Sequence, residues 1–347
     1  MQELYDKAIA PSTQQAYATG FRLFRHFLTM HGEASGLQLP PINEQVLVSF
    51  VAFCHKMRGL SHGTIKLYLC GIRYSYVRQG LPNPLCDSAG NLLPSLATVL
   101  RAVKKSVKTP GNPRLPITFD VLLRIVQVLR SGIFTPFINS MLEAACVTAF
   151  FAFLRCGEFT VRSAFCPNVN LSVSSVVLDP STSSASITIP SSKTDPCRQG
   201  VCLRLFCTER MVCPVHALAS YLNYRVIKTT AAKEPLFLED GGKPLSRTFF
   251  IAKLKFLLLK LGLNQELYNG HSFRIGAATS AAKARVEDHL IQTLGRWASN
   301  CYMRYIRTDA DVLRRAQCSM CAGSPAPIRS NVYLPESTAC RPRVSTA

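Results

Sequence analysis

Acidic residues are scarce in this chain relative to basic ones. Its 347 residues carry 20 Asp and Glu against 40 Lys and Arg, a formal net charge of +20. An excess of that size points to a polyanionic partner such as nucleic acid rather than to a basic protein acting alone. No apolar run reaches the length of a membrane span, and the opening MQELYDKAIA lacks the apolar core of a signal peptide. A soluble intracellular protein is therefore expected, with its 14 cysteines mainly as reduced thiols. Cys318-x-x-Cys321 has no second such pair to complete a standard zinc finger. The series Cys197, Cys202, Cys207, Cys213 with His216 could be read as ligands, but no metal is expected. There is one tryptophan, no internal repeat and no long low-complexity tract.

What the chain does have is apolar content, 48%, enough for a sizeable core in two domains. The first region reads as four short helices. Ser12 to Gln15 forms a capping box ahead of Tyr17, Phe21, Phe24 and Leu28 at helical spacing. Asn43 caps a second helix with Val46, Leu47, Phe50, Val51 and Cys54 inward. Ser61 starts a third that turns Ile65, Leu69, Ile72 and Tyr76 inward and leaves Lys66, Arg73 and Arg78 for solvent or phosphate. Ser95 to Lys105 is the fourth. Prolines and a glycine then interrupt 108–116, which reads as a linker. Lys104, Lys105, Lys108 and Arg114 around it are candidate contacts to a phosphate backbone, although a solvated charged hinge explains them as well. Through residue 112 the chain holds 12 basic and 5 acidic residues, leaving 28 and 15, so both regions are basic, at +7 and +13.

Beyond the linker, helices are expected over 119–130 and 136–153, the second apolar enough to be buried nearly all round. It delivers Arg155, an arginine that needs a partner if buried, and Glu158 is in reach to supply one. Period-two patterning predicts strands over 171–178, 185–189 and 201–206, with Lys193 at the turn between the last two. Helices are expected from Pro214 to Leu222 and from Thr248 to Leu261. The stretch that organises the chain follows, from His271 to Tyr305. A helical start sets His271 and Arg274 three residues apart, on one face. Then come Leu294-Gly295, Trp297, Tyr302 and Tyr305. A phenol near cationic groups and an imidazole is a nucleophile suited to a phosphate. A short helix over 309–316 and a mobile tail from 322 complete the reading.

Taken in order and spacing, His271, Arg274, Leu294-Gly295, Trp297 and Tyr305 resemble the second motif box of the tyrosine recombinases, the phage-integrase type. Arg155-x-x-Glu158 resembles their first. The resemblance implies a mainly α fold with a small β-sheet: a helical core-binding domain (1–107), a linker (108–116), a mixed α/β catalytic domain (117–321) and a tail (322–347), the two lobes gripping one DNA duplex. It implies that Arg155 and Arg274 clamp the scissile phosphate with no metal or cofactor, that Glu158 supports them, and that His271 relays the tyrosine proton. Lys193 would protonate the leaving oxygen, Trp297 would pack the site and hydrogen-bond through its indole, and Tyr305 would attack phosphorus.

The implied partner is double-stranded DNA, held by a homotetramer on synapsed sites, with no membrane and no small-molecule substrate. The many cysteines suggest a eukaryotic mobile element working in the nucleus. Two rivals stand beside this reading, a non-cleaving DNA-binding protein derived from such an enzyme and a type IB topoisomerase. Between the two tyrosines, spacing favours Tyr305, eight residues after Trp297, over Tyr302, five after it. On an α-helix the pair would lie on neighbouring faces.

Overall fold

The computed structural model describes residues 8–32, 39–106, 114–192, 195, 199–226 and 233–308, with 313, 314, 317 and 319. Lys108, Lys193, Cys197, Cys318, Cys321, most of the helix expected over 309–316 and the tail 322–347 lie outside the described residues. The chain divides into two compact units, Met1–Gly111 and Asn112–Ala347. No helix among the described residues is long and apolar enough to cross a membrane.

The first unit is built from α1 (Pro11–Met30), α2 (Glu44–Lys56), α3 (His62–Val77) and α4 (Pro94–Ser106). Asn43 and Ser61 cap α2 and α3 through side-chain oxygens that accept from the N–H groups of Val46 (2.9 Å) and Thr64 (3.2 Å). The expected box at Ser12 is not used: Pro11 occupies the first helical position, where its missing N–H is harmless, and Ala10 precedes it with no side-chain cap. Phe24, Leu47, Phe50, Ile65, Ile72 and Leu96 are fully buried. Helices α1 and α3 cross closely enough that a Cβ on Gly20 would stand 2.7 Å from the Tyr68 backbone and one on Gly71 would stand 2.6 Å from that of Tyr17. Lys66, Arg73, Lys104 and Lys105 are all exposed on this unit.

In the second unit, α5 (Phe119–Arg130) and α6 (Pro136–Phe151) lead to a single turn, α7 (Cys156–Phe159). A three-stranded antiparallel sheet follows in the order β1 (Val176–Asp179), β2 (Ser184–Ile189), β3 (Val201–Phe206), with Ile187 opposite both Val176 and Leu203. Then come α8 (Pro214–Val226), α9 (Arg247–Lys260), α10 (Ser272–Lys283), α11 (Asp288–Gly295) and a 3-10 turn, Asn300–Arg304. The architecture is mainly α with a small sheet.

The first strand is shorter than its alternation predicts. Ser172 donates its N–H to the Ser175 hydroxyl (3.0 Å), and that local bond turns Val173–Ser175 into a 3-10 helix instead of extended chain. Helix α6 ends at Phe151, two residues early, because Phe153 takes a left-handed conformation at φ 49°. The Ala144–Ala149 run of α6 is essentially inaccessible and forms the centre of the core. The last residues of the expected linker belong to this unit, since Leu115 and Ile117 donate to the carbonyls of Leu267 (2.8 Å) and Ser272 (2.9 Å). Arg114 donates to the Glu266 carbonyl, which holds it against the same surface.

Candidate active site

The site begins where α6 stops. Arg155 is the residue before α7, and its backbone N–H donates to Glu158 Oε2 (2.9 Å) while its guanidinium meets Oε1 (3.0 Å). The Glu158 side chain is 5% exposed and that of Arg155 19%, so the pair is partly withdrawn from water. A second guanidinium reaches the same carboxylate: Arg296 Nη2 donates to Glu158 Oε2 (2.9 Å) and to the Phe153 carbonyl (3.2 Å). Arg296 was not among the residues singled out in the sequence. It caps α11 in a left-handed conformation, φ 56°, which carries its side chain back toward α7. The available signal was one of charge, since an arginine adjoining Trp297 adds to two arginine-bearing boxes, the first of which supplies a single acid, Glu158.

Arg274 comes from the first turn of α10 and is fully buried. Its two terminal nitrogens donate to the carbonyls of Phe153 and Gly295. Its guanidinium carbon lies 4.3 Å from the centre of the Trp297 ring and 5.8 Å from that of Tyr305. Burial, then the guanidiniums of Arg155 and Arg296, pull its pKa down to about 10, against Glu158 and Tyr305, which hold it up. It is therefore still charged at neutral pH. Three arginines around one carboxylate leave two positive charges uncompensated. The Nε of Arg274 and the Nε and Nη1 of Arg296 are buried with no hydrogen-bond partner among the described residues. Orphaned cationic donors of this kind are unfavourable unless an anion completes them.

Three glycines make this convergence possible. A Cβ on Gly276 would stand 1.7 Å from the Ile117 carbonyl, so α10 sits directly against the strand of chain entering the unit. A Cβ on Gly270 would collide with Cys156, fixing the start of α10 against α7. A Cβ on Gly295 would fall 1.7 Å from the Trp297 indole. That indole, 7% exposed, packs edge-on against Phe153 (6.0 Å) and touches both Tyr302 (6.1 Å) and Tyr305 (5.1 Å).

Tyr302 lies in a 3-10 turn and Tyr305 directly follows its last residue, so neither stands on an α-helix. At three residues per turn, positions three apart share a face, which is why both rings reach Trp297. They differ in depth. Tyr302 is 3% exposed, and its phenol is held above its ordinary pKa by burial first and then by the Asp288 carboxylate. Tyr305 is half-buried beside Arg274, its carbonyl accepting from Thr279 Oγ1 (3.2 Å), which also receives the Arg307 N–H (3.1 Å). Helix α10 thus carries Arg274 and anchors the Tyr305 segment. His271 is the exposed residue capping α10, its N–H donating to Asn269 (2.8 Å), whereas Arg274 turns inward. Arg155, Glu158, Arg274, Trp297 and Tyr305 are brought together, with Arg296 added. Lys193 falls outside the described residues.

No protein-family model matches the chain, and no curated protein matches it. Solved structures do. The chain is similar to XerH site-specific recombinase in its post-cleavage complex with palindromic difH substrate, with a TM-score of 0.59 at 18% identity, covering 88% of this chain and 78% of that one. It is similar to the Tn1549 transposon integrase in complex with transposon right end DNA, with a TM-score of 0.54 at 15% identity over 89% of this chain and 99% of that one. It is also similar to a lambda integrase dimer bound to a COC′ core site, with a TM-score of 0.52 at 15% identity over 88% and 74%. The fold is that of the tyrosine recombinases and integrases.

Proposed function

We propose that this chain is a site-specific DNA recombinase or integrase that cuts and rejoins double-stranded DNA through a 3′-phosphotyrosyl intermediate on Tyr305. The observation that carries the reading is the gathering of Arg155, Arg274 and Arg296 around Glu158, with orphaned cationic donors, beside the half-buried phenol of Tyr305. In the forward step the Tyr305 oxygen attacks phosphorus, its proton passes to a base, the role expected of His271, and the bond from phosphorus to the 5′ oxygen breaks. That oxygen takes a proton, the role expected of Lys193. Return of a 5′ hydroxyl reverses every bond change, so no external energy source enters. The arginines oppose the charge that grows on the non-bridging oxygens. Exchange between two duplexes calls for four copies of the chain on synapsed sites. The cysteine-rich composition supports a eukaryotic mobile element as its source and the nucleus as its place of work.

The test is a duplex nicked near the cleavage site, so that the released 5′ end diffuses away and the adduct accumulates. The wild-type chain and Tyr302→Phe should become covalently attached, and Tyr305→Phe should not. Nucleotide mapped onto Tyr302 would move the nucleophile, and absence of any adduct on a bound duplex would leave a DNA-binding protein without cleavage.

A further inference from the structure

Far along the chain from the arginines, the loop joining β3 to α8 gathers two cysteines and a histidine. Cys207 follows β3 and donates its N–H to the Ser183 carbonyl (2.9 Å), which fixes it to the edge of the sheet hairpin. Cys213 precedes α8, its carbonyl accepting from the Ala217 N–H (3.0 Å), and His216 lies in the first turn of that helix. Between them the loop closes on itself through Thr208 Oγ1, which donates to the Val212 carbonyl (3.0 Å). The Sγ atoms of Cys207 and Cys213 lie 3.5 Å apart, and Cys207 Sγ lies 3.7 Å from His216 Nε2. All three ligand atoms fall within 4.8 Å of one another.

Two of the three separations fit one ion. With bonds of about 2.3 Å to sulfur and about 2.05 Å to nitrogen, a tetrahedral zinc sets its ligands about 3.8 Å apart for two sulfurs and about 3.6 Å apart for sulfur and nitrogen. The two measured edges match to within about 0.3 Å of these ideals. We propose that Cys207, Cys213 and His216 bind a thiophilic divalent cation of the zinc class, with its fourth position on solvent. Two thiolates and a neutral imidazole cancel the charge of the dication. Cys213 is buried, Cys207 half-buried and His216 exposed, so the ion has a way in past the imidazole. Cys202, on the exposed face of β3, takes no part in the cluster.

Such an ion would act as a clip between the sheet and α8. Helix α8 contributes Leu218 and Tyr221, both fully buried, to the main core, and the clip would fix its first turn to the end of β3. Because a folded loop presents the three ligands together and an unfolded one does not, binding is linked to stability.

The experiment uses the full chain, reduced with a phosphine, loaded with zinc ions and desalted before metal analysis. A triple variant, Cys207→Ser with Cys213→Ser and His216→Ala, should hold about one zinc per chain less than the wild type. Titration of the intact chain with cobalt ions should give the visible bands of tetrahedral coordination and a thiolate charge-transfer band, and this needs no variant to fold. Zinc should also raise the Tm of the wild type and protect two thiols from alkylation. Equal zinc on wild type and triple variant, no tetrahedral cobalt spectrum, or a Cys207 to Cys213 disulfide that forms equally fast with zinc present would each overturn the site. Because every readout is metal or stability, it stands or falls apart from DNA cleavage.

Discussion

Arg296 shows how a single backbone setting can decide a site. A left-handed conformation is unfavourable for an arginine, yet here it turns the side chain onto Glu158 and the Phe153 carbonyl. Phe153, itself left-handed, accepts from both Arg274 and Arg296, so one carbonyl orients two guanidiniums. Arg296→Ala should therefore slow formation of the tyrosyl adduct by about 10²–10³-fold while leaving duplex affinity nearly unchanged, as expected for removing one preorganised donor. Single-turnover adduct formation checks this, and equal rates for wild type and variant would remove Arg296 from the phosphate site. Glu158→Gln acts on the same cluster in the opposite sense. It leaves three guanidiniums without their shared carboxylate, and the expected loss is about 3–5 kcal/mol of stability, the range for breaking a buried ion pair. Denaturant midpoints would show it. Since Glu158 helps hold the Arg274 pKa up at about 10, the variant should lower that value further. The sign follows: a buried base whose folded pKa is depressed destabilises the fold while protonated, fully at neutral pH, and the penalty is relieved as pH rises through about 10 toward the ordinary arginine value.

Among elements, the glycines set the tolerances. Gly295 lets the indole of Trp297 lie over the end of α11, and Gly276 lets α10 touch Ile117. Gly295→Ala should destabilise the chain by about 1–3 kcal/mol, the usual range for forcing atoms into a packed site. Adding Trp297→Ala should recover part of that loss, because the clash is with the ring itself. A double variant that unfolds with the plain sum of the two single effects would contradict the contact. The sequence showed some of these relations and hid others, for reasons of range. The caps at Asn43 and Ser61 were legible because they join residues three apart, and α6 because its apolar run leaves no face for water. Arg155, Glu158, Arg274, Trp297 and Tyr305 could be picked out because their order and spacing resemble the two motif boxes of the tyrosine recombinases. The unused box at Ser12 and the turn at Ser172 were misread because competing local chemistry, a proline and a serine hydroxyl, outweighed pattern. Arg296 was passed over because its role rests on a dihedral angle and on a carboxylate 138 residues away. The pairing of Cys207, Cys213 and His216 was visible only as one choice within a longer series, since spacing alone did not separate Cys202 from the rest.

At the scale of the whole molecule, the surplus of charge can be divided between holding DNA and acting on it. The first unit carries +7 through residue 112 and exposes Lys66, Arg73, Lys104 and Lys105, none of which belongs to the arginine cluster. If these side chains bind phosphates, each releases counterions, and the logarithm of affinity falls with the logarithm of salt by about 0.9 per phosphate neutralised. Replacing all four with glutamine should then flatten that slope by about 3–4 and weaken binding most at low salt. The tyrosyl adduct should still form once DNA is supplied above the new Kd, because the phosphate-activating residues are untouched. Arg155→Gln should show the reverse pattern, a small change in slope with loss of the adduct. Affinity measured from low to moderate salt on one duplex, beside adduct formation at saturating DNA, separates the two sets of charges. A slope unchanged by the fourfold replacement would mean that the exposed basic face of the first unit does not lie on the DNA backbone.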